Sequence, residues 1–310
     1  MLSNSQARTY TAFLGAVLIG GANFIAVSFS NRELPPFFGA ALRYALAGVL
    51  FFLIRRLGRL PRPGQRSILG AILYGLLNFG ATYGLLYYAL VGLTAGTASV
   101  IMATVPLFTL MFAVLVGQER FTVRGIVGGI LAVAGIAVLS AGRIGGDLDI
   151  SYLVAAVFAA AAGAGSSVVA KGLPEVHPVN MNAFGMVAGA GLLAAGSLIA
   201  GEPWSLPRAS QTWIALSWLV IAGSMGLFQL FLYVIKRLTA SATTYAVASM
   251  PLVAVVLGVL LLEQPVTLEV VIGGLLILSA VYVGAISGKR RAVGEAVPDQ
   301  LDSSPEILAD

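Results

Sequence analysis

The feature that most constrains this chain is a succession of apolar runs, each about twenty residues long, parted by short polar knots. The runs fall near residues 11–30, 36–54, 67–89, 94–116, 121–141, 150–171, 179–200, 212–235, 239–262 and 267–287. A helix of such length covers roughly 30 Å, the hydrocarbon thickness of a bilayer. Only 10% of the 310 residues are charged, against about 25% in a soluble domain, and mean hydropathy is +0.94. The expected fold is an all-α polytopic membrane protein with ten transmembrane helices. No loop is long enough for a soluble domain, so the activity is expected within the membrane. The first run resembles a signal-peptide core, but it is long enough to span and is read as the first helix. Residues 289–310 are polar and are read as a disordered cytoplasmic tail.

The net charge of +5 would suit a nucleic-acid binder until the basic residues are mapped. With the N-terminus inside, fourteen Lys and Arg fall on the cytoplasmic side, including Arg55, Arg56, Arg59, Arg62 and Arg66. Only Arg32, Arg143 and Arg208 fall outside, and Arg43 lies within a span. That bias places both termini in the cytoplasm and leaves no nucleic-acid face. There is no cysteine, which excludes disulfides and thiolate metal sites, and no metal or cofactor is expected.

Shifting the chain by 145 residues aligns the third to fifth runs with the eighth to tenth without a gap. Fourteen of the fifty-one positions from 88 to 138 are identical, among them Leu93-Thr94-Ala95 with Leu238-Thr239-Ala240 and Thr122 with Thr267. Gly128-Gly129 also meets Gly273-Gly274, and Pro106-Leu107 meets Pro251-Leu252. Each half holds five runs, an odd number, so the second is expected upside down relative to the first. The charges agree: residues 90–93 carry none, whereas 235–238 carry Lys236 and Arg237. Two inverted five-helix repeats, residues 1–142 and 143–288, are characteristic of secondary transporters with a midplane site. A helical proline costs about 3 kcal/mol. Its recurrence suggests two kinked helices, hinged at Pro106 and Pro251, whose freed carbonyls face a shared cavity.

The stretches FLGAVLIGGANFIAV, FGAALRYALAGVL, ASVIMATVPLFTLMFAVLVGQERFT and ATTYAVASMPLVAVVLGVLLLEQPVT resemble EamA-type permeases of the drug/metabolite transporter superfamily. One departure is local: Glu119 lies three residues before Thr122, but Glu263 lies four before Thr267. The resemblance implies a ten-helix basket around a central cavity in the bacterial inner membrane. It also implies export of amino acids or related metabolites, with a broad-specificity drug or vitamin permease as the alternative.

Thirteen carboxylates are present and none falls mid-span, which argues against proton exchange through a membrane carboxylate. Arg43 is the one charge well inside a span, either a counter-charge for a substrate carboxylate or a structural, snorkelling arginine. The expected cavity set is uncharged otherwise. Asn23 follows Gly20-Gly21, and Tyr74, Asn78 and Tyr88 form a stripe on the third helix with Thr82 at its margin. Gln229 and Tyr233 pair on the eighth helix. Thr97, Ser99 and Thr104 precede Pro106, as Thr244, Tyr245 and Ser249 precede Pro251. Together they suggest a polar-aromatic cavity for a small-molecule substrate. Gly125 and Gly129, with Gly273 and Gly274, suit close helix packing or a dimer face, in a monomer or homodimer. The single histidine, His177, has no nucleophile near it, so an enzyme lacks its parts. A membrane scaffold or receptor remains the non-transport alternative.

Overall fold

The computed structural model describes residues 4–118, 123–141, 150–173, 176–237 and 240–283. They form helices α1 (Asn4–Ser30), α2 (Pro36–Leu57), α3 (Gln65–Gly92), α4 (Ala95–Leu115) and α5 (Val123–Ala141). These are followed by α6 (Ser151–Gly172), α7 (Pro178–Ile199), α8 (Ser210–Ile235), α9 (Ala240–Leu262) and α10 (Leu268–Val281). No strand occurs among the described residues. Seven of these helices, α1 to α4 and α6 to α8, are long and apolar enough to cross a membrane.

Helix starts follow local chemistry. Pro36 and Pro178 sit at first-turn positions where a missing N–H costs nothing. Thr94 caps α4 by accepting from the Thr97 N–H at 3.2 Å, and Thr267 caps α10 by accepting from Val270. His177 does the same for α7, its Nδ1 accepting from the Val179 N–H at 3.3 Å. The lone histidine is therefore a helix cap.

Two helices contain a segment wound more loosely than the rest. In α3 the π-helical stretch is Leu76–Thr82, and in α8 it is Ile221–Gly226. Their starts lie 145 residues apart, the spacing found in the sequence. In each, one hydroxyl folds back on the carbonyl five residues earlier, Thr82 on Leu77 and Ser224 on Leu219, both at 2.8 Å. A π segment rotates the residues beyond it by about one position and unpairs backbone groups.

Packing exchanges partners between the halves. Helix α2 lies along α7, α5 along α10, α4 along α6 and α1 along α9. Adding five to each number of the α4–α6 pair gives α9 and α11, and α1 stands where an eleventh helix would. Backbones touch where glycines allow it: a Cβ on Gly75 would land on the Gly185 carbonyl, and one on Gly189 would meet Phe79 and the Gly75 carbonyl. At the α5–α10 contact the close approach is Gly135 against the Gly273 carbonyl, whereas Gly129 faces open space and Gly274 meets only Val100. The small-residue seam is real, but it lies about two turns further along α5 than the GxxxG spacing implied. Gly125 lies outside the residues whose side chains are described.

The loops on one face hold the halves together. Glu202, after α7, accepts from the N–H groups of Phe37 and Phe38 at the start of α2, at 3.1 and 2.8 Å. Glu33, after α1, accepts from Arg208 and Ala209 before α8, at 3.0 to 3.3 Å. A carboxylate at a helix start meets both free donors and the positive end of the helix dipole.

The chain's two copies of the α4–α9 edge also explain the shifted carboxylate. The left-handed turn falls on Gly117 (φ 75°) after α4 but on Glu263 (φ 51°) after α9. Glu263 takes a conformation that favours glycine, and Gln264 turns inward so that its Oε1 accepts from the Ala95 N–H at 3.2 Å.

These contacts set two expectations for stability. Gly75→Ala should cost about 1–3 kcal/mol through overpacking, while Gly129→Ala, at an open helical position, should leave the melting temperature in detergent equal or slightly raised. Glu33 is held below the usual carboxylate range, first by the Thr212 hydroxyl and then by the Ala209 N–H. Its contribution is therefore present at neutral pH and lost as pH falls through the lowered value. Glu33→Gln should melt below the parent at about pH 7, and the gap should narrow as pH falls below the ordinary carboxylate range.

Candidate functional site: a chamber at the helix crossing

A cavity of about 70 Å³ lies between α1, α3, α4, α6, α8 and α9. At roughly 10–15 Å³ per water, it holds a handful of waters, well short of the ~300 Å³ of a small-molecule pocket. Among the described residues, α2, α5, α7 and α10 contribute nothing to its wall.

Its lining pairs off. Thr82 and Leu227, Tyr83 and Phe228, Leu86 and Phe231, Met102 and Val247, and Val105 and Met250 all line it, each pair 145 residues apart. On α1 and α6 the pairs are Gly20 with Gly163 and Phe24 with Ser167, both 143 apart. Fourteen of the eighteen lining residues thus stand at matched positions in the two halves, while Asn23, Val27, Asn78 and Leu90 line it without a counterpart.

The wall is mostly apolar, with Asn23, Asn78, Thr82 and Ser167 as its hydrogen-bonding side chains besides the Tyr83 phenol. Asn78 and Tyr74 share a hydrogen bond at 3.1 Å, and Ser166 donates to Asn78 at 3.4 Å. Asn23 donates to the Gly223 carbonyl at 3.3 Å and accepts from the Trp218 indole at 3.2 Å. Gly223 stands 145 residues after Asn78. Each tie crosses between the halves: a polar residue of the first helix of one half (α1 or α6) bonds to the π segment in the third helix of the other.

Behind this wall sits Arg43, fully buried. Its Nε donates to Ser224 Oγ at 2.9 Å, Nη2 to the Gly223 carbonyl at 2.9 Å and Nη1 to Tyr87 Oη at 3.3 Å. The guanidinium lies 4.8 Å from the Tyr44 ring centroid and 5.1 Å from that of Tyr83. All these partners are neutral. The Gly223 carbonyl that Arg43 and Asn23 share belongs to the π segment of α8. Arg43 does not line the chamber; Tyr83 stands between.

The remaining expected residues are dispersed. Tyr74 is buried against Phe79, edge to face at 5.4 Å. Tyr88 faces away, bonded to Ser151 at 3.0 Å and packed on Phe37 and Tyr152. Thr97 belongs to the cap of α4, its hydroxyl 2.9 Å from that of Thr94. Ser99 and Thr104 fold back on Gly96 and Ile101 at 2.8 and 2.7 Å. Gln229 is partly buried with Oε1 lacking a partner, and Tyr233 lies under the Arg237 guanidinium. Ser249 is partly buried on α9 outside the lining. The side chains of Thr244 and Tyr245 lie outside the described residues.

The prolines act unequally. Before Pro106, α4 breaks at Ala103-Thr104 into two helical pieces, Ala95–Met102 and Val105–Leu115. Pro251 sits inside an unbroken α9. The residues whose carbonyls they leave unpaired, Met102 and Val247, both line the chamber. The sequence reading missed the tyrosine pair Tyr83 and Tyr87, Ser224 and Trp218. Their signal was the glycine clustering around Gly75 and Gly80, and around Gly223 and Gly226, where the π segments form.

The model for the EamA-like transporter family matches residues 7–141 and again residues 149–285. The chain belongs to that family. It is a multi-pass membrane transporter of the drug/metabolite transporter superfamily. It is 28% identical over 279 residues to an uncharacterized transporter of Archaeoglobus fulgidus, covering 86% of this chain and 95% of that protein. It is 30% identical over 252 residues to the uncharacterized inner membrane transporter YedA of Escherichia coli, covering 80% and 81%. A probable amino-acid metabolite efflux pump of Escherichia coli is 29% identical over 154 residues, 47% of this chain and 49% of that one. A solved crystal structure superposes with a TM-score of 0.68 at 22% identity, over 92% of this chain and 99% of that one, and shares the fold.

Arg43→Lys keeps the charge but has a single nitrogen for three acceptors. It should lower stability by roughly 1–3 kcal/mol through the acceptors left bare, seen as a lower melting temperature in detergent.

Proposed function

We propose that this EamA-family transporter carries a small metabolite across the bacterial inner membrane by alternating access, with export of an amino acid or related compound as its task. The carrying observation is the pairing of the chamber's wall at constant sequence spacing. A cavity built by two equivalent half-walls has no intrinsic preference for one side, which is what a site exposed to each face in turn requires. Similarity over about half the chain to a probable amino-acid metabolite efflux pump supports the export of an amino-acid metabolite.

The same reading takes residues 1–142 and 143–288 as two inverted five-helix units, giving ten spans and cytoplasmic termini. The double family match, the π segments 145 apart and the exchanged packing partners support it. The break before Pro106 and the proline within α9 would serve as pivots. In its present form the chamber is too small for cargo, so loading means parting the helices around it. A scaffold would need no chamber and no such pairing.

The predominance of Phe, Leu, Met and Val in the wall favours a second cargo range, aromatic drugs or vitamins, within the same mechanism. Flux through reconstituted protein, with amino acids, dyes and flavins, with and without a pH gradient, separates the two. Ser167→Trp should fill the chamber and cut flux at least about tenfold in protein that still melts cooperatively. Undiminished flux would remove the chamber from the transport path. Single cysteines at residues 91 and 237 should label from opposite faces of the membrane; labelling from one face would end the inverted-repeat reading.

A further inference from the structure

A second cavity, of about 390 Å³, lies against α1, α8 and α9. Its α1 wall is Ala22, Ile25, Ala26 and Phe29, a stripe at helical spacing. The chamber takes Gly20, Asn23, Phe24 and Val27 from the same stretch. That stripe is two residues out of phase, and so lies on roughly the opposite side of the helix. Groove and chamber therefore flank α1 at one depth.

Trp218 lines the groove, and its indole N–H donates to Asn23, which lines the chamber. Along the α1–α8 seam these two side chains separate the outward-facing groove from the interior. Gln211, also in the groove, lies seven residues from Trp218 on the same face of α8. Neutral polar groups thus run from Gln211 through Trp218 and Asn23 to Thr82 and Ser167, with aliphatic and aromatic surface beside them. Among the described residues, no charged side chain lines either cavity.

We propose that the α1–α8 seam is a side door through which a neutral amphipathic molecule with an aromatic-sized apolar body passes between bilayer and chamber. The inference rests on the transport reading and names its cargo class and route. A polar head exchanges one neutral partner for the next while the body stays in hydrocarbon, so no charge has to be desolvated. Trp218 is the movable leaf. The π segment beginning at Ile221 gives α8 a joint directly beyond it, and Gly223 has no Cβ to press on the Asn23 amide.

The chain has no cysteine, so Ser167→Cys gives a single reporter on the chamber's far wall. It is read in proteoliposomes with N-(1-pyrenyl)maleimide, which partitions into the bilayer. Trp218→Phe keeps the bulk and removes the donor, and should speed labelling about five-fold, the worth of one neutral hydrogen bond. Trp218→Ala should speed it further. N-phenyl-1-naphthylamine, a neutral aromatic amphipath, should slow labelling where added phosphatidylethanolamine does not. Rates unmoved by both Trp218 variants in folded protein would overturn the door. So would protection by the phospholipid alone, which would assign the groove to an acyl chain. Protein that labels as expected but moves no cargo keeps the door and loses the transport reading. Protein that moves cargo but labels at one rate with Trp, Phe or Ala at position 218 loses the door.

Discussion

The Gly223 carbonyl, bonded at once to Arg43 on α2 and Asn23 on α1, is the interaction on which the rest of this structure turns. A charge in the apolar interior is tolerated only where every hydrogen-bonding direction it needs is already in place. The loosened turn in α8 presents the Gly223 carbonyl, Ser224 supplies a second acceptor, and the Tyr44 and Tyr83 rings cover the guanidinium. Each device answers the same requirement, that nothing polar be left bare where water cannot reach. Together they clamp α1, α2 and α8 at the level of the chamber, with Arg43 and Asn23 of one half meeting on one carbonyl of the other.

Around this clamp the halves are equivalent in outline and different in detail. Asn78 occupies in α3 the position that Gly223 holds in α8. The first places an amide in the chamber wall; the second lends a bare carbonyl to an arginine. Pro106 breaks α4, whereas Pro251 is absorbed by α9, whose neighbour α1 presses Gly20 and Gly21 against Met250 and Val253. The contacts that differ between the halves surround the same 70 Å³ chamber that their matched positions build.

Much of this was legible in the sequence, and the misplacements share a cause. Apolar runs gave the helices because lipid leaves no other backbone solution. The 145-residue spacing foretold the pairing of the walls that α3 and α4 share with α8 and α9, because matched positions face the chamber. The stripe Tyr74, Asn78 and Tyr88 assumed 100° per residue throughout. The π segment intervenes after Gly75, so Tyr87 turns inward to Arg43 and Tyr88 turns out to Ser151. Period arguments cannot see a change of winding, and only the flanking glycines hinted at one. The hydroxyls of Ser99 and Thr104 went astray for another reason. In an apolar helix a hydroxyl's nearest acceptor is its own preceding turn, and no residue count tells that bond from one reaching into a cavity.

The position of Arg43 also bears on what the chamber can hold. A guanidinium remains charged at any accessible pH, and its neutral partners leave that charge uncompensated. Its field reaches the chamber through the Tyr83 ring, whose electron-rich face is turned to the cation. The ring's quadrupole also turns a negative face to the chamber and offsets part of that field there, where the lining offers two amides and two hydroxyls besides the Tyr83 phenol. An anionic cargo would have to displace Tyr83 to claim a partner already bonded three times. A neutral or zwitterionic one meets donors and acceptors at no such cost. Of the two readings the sequence leaves open for Arg43, counter-charge or structural arginine, the bonds to Ser224, Gly223 and Tyr87 favour the second, and the polar side chains that reach the chamber besides Tyr83 are Asn23, Asn78, Thr82 and Ser167.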